Sequence, residues 1–114
     1  MGGLIKKTQA FTASQTVENI ISGSKFEFLP RNAVVKLYAS QTVAGEVELD
    51  FTLGNVVVGD DLDPNLETAV GAVNRNTDLI ASGVGAAGDR IQIRGRETSG
   101  TTANCNIIVE IIDM

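Results

Sequence analysis

The sequence contains no histidine, no tryptophan and a single cysteine, and these absences exclude several classes of site. Without histidine the chain lacks the commonest general base, the usual partner of a catalytic serine or cysteine, and the commonest ligand of transition metals. One cysteine, Cys105, excludes an intrachain disulfide and a zinc site built from several thiolates. Because Cys105 shares its strand parity with Ile107 and Val109, we expect a buried structural thiol. The sequence therefore predicts no enzyme and no cofactor.

Aromatic residues make up only 4% of the chain, so the core must be aliphatic, which suits β-sheets. The net charge of −5 works against a nucleic-acid partner, because neutralising phosphates requires clustered Lys and Arg. The N-terminal residues lack the apolar region of a secretion signal, and no stretch approaches the roughly 18 apolar residues of a membrane-spanning helix. We expect neither a nucleic-acid nor a membrane partner.

The length of 114 residues fits one domain. Residues 1–17 are rich in Thr, Ser and Gln, and we interpret them as an N-terminal arm or an edge strand. Residues 18–114 are predicted to form the single domain.

Two segments alternate apolar and polar residues strictly, which is typical of strands with one buried face and one solvated face. In residues 45–53 the polar positions are acidic, and in residues 90–96 they are basic. Two such strands predict an antiparallel sheet that is open to solvent on one side.

The whole chain is predicted to be all-β, with about seven or eight short strands in an antiparallel β-sandwich or jelly-roll-like arrangement. One short helical insertion is expected within residues 60–78. Apolar residues recur there at intervals of three and four after Pro64, from Leu66 through Ala69 and Val70 to Val73.

One acidic segment is a candidate for a metal site, because it places oxygen ligands at alternate positions, as hard cations require. The candidate ligands, which follow Asp60, are Asp61, Asp63, Asn65 and Glu67. A calcium loop would have glycine where Leu66 stands and a bidentate glutamate where Ala72 stands. We therefore favour a solvated acidic loop in which Asp63 caps the predicted helix, and we assign no metal.

The charged strand faces are candidates for partner contact. If the two strands are neighbours, cross-strand ion pairs will form; otherwise the basic face can meet the acidic face of another copy and fix its register. In the last strand both faces are apolar, so its second face is expected to be covered by the rim of the other sheet or by another subunit. The predicted contact residues are Glu46, Glu48, Asp50, Arg90, Arg94, Arg96, Ile108 and Ile112.

Four stretches carry a resemblance to a known class of protein: LPRNAVVKLYAS, GEVELDFTL, AAGDRIQIRGRETSGTTAN and CNIIVEIIDM. Over residues 29–114 the chain resembles the small β-sandwich accessory proteins of tailed-phage virions, the cement, decoration and minor capsid proteins. The resemblance implies a non-catalytic homo-oligomer, with a trimer favoured, that docks on other virion proteins such as the major capsid protein. It also implies a location in the virion after synthesis in the host cytoplasm. The acidic insertion at residues 60–78 departs from this pattern.

The function predicted from these observations is that of a non-enzymatic virion structural protein that self-assembles and stabilises a particle. The alternative is a carbohydrate- or receptor-binding β-sandwich module. Sugar sites usually offer aromatic platforms, and this chain has only Tyr38 and four phenylalanines, three of which we assign to the core.

Overall fold

The computed structural model describes residues 3–43, 45–67, 73, 75 and 78–114. This part of the chain is all-β, with nine strands and no helix. None of its segments forms a helix with the length and apolar character needed to span a membrane. The strands are β1 (Gly3–Phe11), β2 (Thr16–Val17), β3 (Ala33–Gln41), β4 (Val47–Leu53), β5 (Val56–Leu62), β6 (Asn65–Leu66), β7 (Leu79–Gly85), β8 (Ile91–Glu97) and β9 (Ala103–Asp113).

The strands form two sheets, which we call sheet A and sheet B. In sheet A, β9 lies between β1 and β3, and all these pairs are antiparallel. The other side of β3 pairs antiparallel with β7 along residues 33–38 and parallel with β6 at Ser40 and Gln41. Sheet B has the order β2-β8-β4-β5 and is antiparallel throughout.

The two sheets share one aliphatic core, which is consistent with a β-sandwich. The alternation predicted for residues 45–53 and 90–96 is confirmed, because within these ranges the apolar side chains of β4 and β8 are buried and the polar ones are partly exposed. Cys105 is buried in this core, as its parity predicted. The largest fully buried side chains are Phe51, Ile20, Ile21, Leu29, Leu37, Leu49, Leu53, Ile91, Ile93 and Ile107.

The predicted helical insertion is wrong for the described residues. Leu66, expected on the apolar face of a helix after Pro64, lies in β6 and is exposed. Long-range hydrogen bonds hold this segment extended: the side chain of Gln41 donates to the carbonyl of Pro64 (2.9 Å), and the N–H of Glu67 donates to the carbonyl of Gln41 (2.9 Å). Ala69 and Val70 lie outside the described residues.

The N-terminal segment contributes an edge strand to each sheet. Residues 3–11 pair along their whole length with β9, and Thr16 and Val17 pair with the end of β8. The chain crosses from sheet A to sheet B in the turn between β1 and β2.

Candidate interaction faces

The acidic and basic strand faces meet within the chain, because β4 and β8 are antiparallel neighbours. Their register places Glu48 opposite Arg96 and Asp50 opposite Arg94. Nη1 of Arg96 lies 2.5 Å from Oδ2 of Asp50, and Nη1 of Arg94 lies 3.9 Å from the same oxygen. Of the two alternatives left open by the sequence, ion pairing inside the chain is therefore the one present here.

A bulge in β5 completes this charged network. The pairing of β5 with β4 shifts register twice, and Asp61 adopts a left-handed backbone conformation with φ 53°. In that conformation the N–H of Asp61 donates to Oδ1 of Asp50 (2.9 Å), and its carboxylate pairs with Nη2 of Arg96. The bulge thus brings a second carboxylate to the same guanidinium.

The network shifts the pKa values of two neighbouring carboxyls, Asp50 and Asp60, in opposite directions. Burial opposes the ionisation of Asp50, but the N–H of Asp61 and the guanidinium of Arg96 outweigh it and hold the pKa of Asp50 below its usual range. The pKa of Asp60 is raised, because its carboxyl hydrogen-bonds to Asp50 and is repelled by Asp50 and Asp61. The carboxylates also raise the pKa of Arg96. The outer face of sheet B is therefore a set of mutually compensating charges.

The predicted contact charges Arg90, Arg94 and Glu46 also have partners inside the chain. Nε of Arg90 lies 2.7 Å from Oε2 of Glu27, and Nε of Arg94 lies 3.3 Å from Oε2 of Glu18. Oε2 of Glu46 accepts a hydrogen bond from the hydroxyl of Thr101 (3.1 Å).

The structure does not bring the predicted metal ligands together. Asp61 joins the network on sheet B, and Asp63 is exposed between β5 and β6. Asn65 and Glu67 hydrogen-bond to Asp78 instead, which raises the pKa of Glu67.

A different group of carboxylates converges, and the sequence pattern does not predict it as a group. Oxygens of Asp50, Asp60 and Asp61 lie within 4.8 Å of one another. Arg96 already pairs with two of these three carboxylates, those of Asp50 and Asp61. The group is therefore part of an ion-pair network. The strict alternation of β4 pointed Asp50 outward, but only the bulge in β5 could bring Asp60 and Asp61 to it.

A cavity of about 290 Å³ lies on the outer face of sheet B, beside this network. It is formed by side chains of three adjacent strands, β4, β5 and β8. Its lining residues are Asp50, Thr52, Val57, Asp60, Gln92 and Arg94.

An exposed apolar strip crosses one end of the outer face of sheet A. The pairing register aligns Val84 of β7, Val34 of β3 and Ile112 of β9, and Leu4 of β1 is a diagonal neighbour of Ile112. Val84 is 65% exposed, Leu4 46% and Ile112 40%. We call Val84, Val34, Ile112 and Leu4 the apolar strip.

The other half of this face is covered by the chain itself. Tyr38 and Ile108 point to the outer face, yet they are only 5% and 6% exposed. The hydroxyl of Tyr38 donates to Glu110 (2.9 Å), and Arg75 reaches the same carboxylate (2.5 Å). Of the two predicted contact residues of the last strand, Ile108 is therefore covered internally and Ile112 is open.

The four sheet edges differ in their protection. Unpaired edges are usually blunted by charge, by bulges or by short strands. β1 carries Lys6 and Lys7, β2 has only two residues, and β5 is bulged and carries Asp60 and Asp61. β7, with the sequence LIASGVG, has seven residues and no charge, and one end of the apolar strip lies on it. Its pairing with β3 shifts register once, between Ala81 and Leu79, and residues 81–85 pair regularly. Among the described edge strands longer than two residues, β7 is the one without a charge.

Comparisons with protein-family models, with curated proteins and with solved structures find no match for this chain.

Proposed function

We propose that this chain is a non-enzymatic structural protein that assembles with copies of itself and stabilises a larger particle. Following the resemblance in the sequence, the particle is a virion, and the chain is a cement, decoration or minor capsid component. The proposal includes a β-sandwich related to the jelly-roll arrangement. The observation that carries it is the uncharged edge strand β7, which adjoins the apolar strip.

Assembly by strand pairing accounts for the composition of β7. A second copy of β7 can pair antiparallel with the first about a two-fold axis at Ser82 or Gly83, and these registers keep like faces together. No charge on either strand opposes this pairing, whereas the same operation on β1 would bring Lys6 and Lys7 close to their own copies. Main-chain hydrogen bonds would then extend sheet A across the two copies.

The same pairing gives the apolar strip a role. With the axis at Gly83, the Val84 side chains of the two copies become diagonal neighbours, and the two strips adjoin on one continuous outer face. An apolar patch larger than a few hundred Å² is unusual on an isolated protein and marks a contact site. The joined strips form the surface that docks on another particle protein, such as the major capsid protein. The two-fold axis makes a pair the building unit, in place of the trimer expected from the sequence.

The mass of the protein in solution tests the proposal, measured by light scattering during size exclusion over a range of concentrations. We expect a discrete species of twice the 12.0 kDa chain mass. Ser82→Glu should reduce it to the monomer, because the two introduced carboxylates meet at the seam. Lys36 stands opposite Ser82 in β3, so the new carboxylate is tolerated in the single chain.

Asn104→Glu is the matched control, because Asn104 is exposed on the interior strand β9 and lies away from β7. This variant should keep the mass of the parent. A parent protein that is monomeric at every concentration would contradict self-assembly. An unchanged mass for Ser82→Glu would contradict the β7 seam.

A further inference from the structure

We infer that the cavity on the outer face of sheet B is a binding site for an uncharged pyranose ring, such as one sugar unit of a glycan. This site lies on the opposite sheet from β7 and the apolar strip, and it is independent of the proposed assembly. Its volume of about 290 Å³ is at the lower end of the range for small-molecule sites, so it suits one ring rather than an extended chain.

The cavity offers both donors and acceptors in a small space. The carboxylates of Asp50 and Asp60 accept hydrogen bonds, Arg94 donates them, and Thr52 and Gln92 can do both. Each hydroxyl of a sugar both donates and accepts, so a mixed lining matches a polyol better than it matches a ligand of one polarity.

The charges around the cavity are already compensated in part, which favours an uncharged ligand. Asp50 is held by Arg96 at 2.5 Å, and Arg94 lies beside Glu18 at 3.3 Å. An anionic ligand would meet Asp50 and Asp60, and a cationic one would meet Arg94. A neutral polyol avoids both repulsions.

Arg94 keeps hydrogen-bonding capacity for a ligand. Its Nε is buried and faces Glu18 at 3.3 Å, whereas its Nη1 is 3.9 Å from Asp50. The distance from Nη1 to Asp50 is longer than a hydrogen bond. Nη1 can therefore donate to a ligand hydroxyl.

Two of the other lining side chains, Gln92 and Asp50, are held in place, and Val57 is apolar. Nε2 of Gln92 donates to the carbonyl of Glu18 (3.1 Å), which orients its amide, and the N–H of Asp61 holds Asp50 (2.9 Å). Val57 is 63% exposed and gives the C–H groups of a ring an apolar surface. Strand-borne groups held in this way lose little conformational freedom on binding.

An NMR titration of the ¹⁵N-labelled protein tests the site, with the methyl α-pyranosides of glucose, galactose and mannose as probes. We expect saturable shifts in the millimolar range for at least one probe, centred on the amides of residues 50–60 and 92–94. Methyl glucuronide should bind more weakly than methyl glucoside, because its carboxylate meets Asp50 and Asp60.

Thr52→Val removes one hydroxyl from the cavity and should weaken binding about three- to tenfold, which corresponds to the loss of one hydrogen bond. Thr102→Val is the control, because Thr102 is exposed in the loop between β8 and β9. An unchanged spectrum away from the substitution shows that each variant is folded. The inference is overturned if no probe gives a saturable shift. It is also overturned if Thr52→Val binds the probe as tightly as the parent and the Thr102→Val control do. Neither outcome depends on the mass of the assembly.

Discussion

The backbone N–H of Ser14 donates to Oε1 of Glu97 over 2.8 Å, although the two residues are 83 positions apart. The same carboxylate accepts the N–H groups of Ser99 and Gly100, each at 2.8 Å, and the hydroxyl of Ser99. Ser14 has a left-handed φ of 60°, which a serine adopts only where its surroundings support it. One carboxylate therefore holds the β1–β2 turn and the β8–β9 turn together.

The first prediction concerns the acid stability that Glu97 provides. The Ser99 hydroxyl and the N–H donors outweigh burial and lower the pKa of Glu97 from 4.5 to about 2. A lowered folded-state pKa stabilises the fold at pH values above 4.5, and this contribution is lost as the pH falls from 4.5 through about 2. Glu97→Gln should therefore unfold at lower urea concentration than the parent at pH 7, and the difference should shrink toward pH 2.

Glu46→Gln is the control for this experiment, because Glu46 accepts one hydrogen bond from the side chain of Thr101. It should show a smaller change at pH 7. A difference between Glu97→Gln and the parent that is the same at pH 7 and pH 2 would rule out the carboxylate as its cause.

The second prediction compares two ion pairs on the same sheet. Side chains of Asp50 and Arg96 are 15% and 22% exposed, whereas those of Glu18 and Arg94 are 74% and 43% exposed. Solvent screens the exposed pair, so its coupling should lie near the lower end of about 0.2–1 kcal/mol. The Asp50–Arg96 pair should reach about 1 kcal/mol or more, because it is partly buried and hydrogen-bonded.

Double-mutant cycles measure both couplings from urea unfolding, with Asp50→Asn and Arg96→Gln for the first pair and Glu18→Gln and Arg94→Gln for the second. Asparagine at position 50 keeps an acceptor for the N–H of Asp61. Equal coupling energies for the two pairs would show that burial does not separate them.

The sequence predicted the strands whose two faces differ most in polarity. β4 and β8 were recognisable because their alternation is strict, and a side-chain period of two occurs in strands alone. Their adjacency was not recognisable, because it depends on topology. The sequence alone therefore leaves the ion pairs of Asp50 with Arg94 and Arg96 as one of two alternatives, and the pairing of β4 with β8 decides between them.

Two features depended on long-range contacts that local patterns do not contain. Leu66 has apolar neighbours at helical spacing, yet pairing with β3 at Gln41 places it in a strand, since tertiary contacts override weak local preference. The apolar strip joins Val34, Val84 and Ile112, which are far apart in sequence, and only the register of three strands aligns them.

The third prediction concerns Gly95, where β8 is closely approached from the core. A Cβ atom at this position would lie 2.8 Å from Cζ of Phe11 and 2.9 Å from Cδ1 of Ile20. Both side chains are buried and have little room to move. Gly95→Ala should therefore destabilise the fold by about 1–3 kcal/mol, the usual cost of overpacking.

Thermal unfolding measures this effect, and each kcal/mol lowers Tm by roughly 4–8 °C in a domain of this size. Thr102→Ala is the control, because Thr102 is exposed in the loop between β8 and β9 and the substitution adds no atom to the core. A Tm for Gly95→Ala within a degree of the parent would mean that Phe11 and Ile20 can move aside.

The fourth prediction uses Cys105 as a reporter of unfolding. Its thiol is fully buried, and burial raises its pKa to about 12. The thiolate is the reactive form, so the native protein should not react with an aromatic disulfide reagent at pH 8. Because the chain has one cysteine, every labelled molecule reports an opening of the core around β9. The labelling rate should therefore rise with urea in parallel with global unfolding measured by circular dichroism.

Thr102→Cys in a Cys105→Ala background gives the exposed reference, which should react at once. Labelling of native Cys105 at a rate near that of the reference would show that β9 opens locally without unfolding of the two sheets.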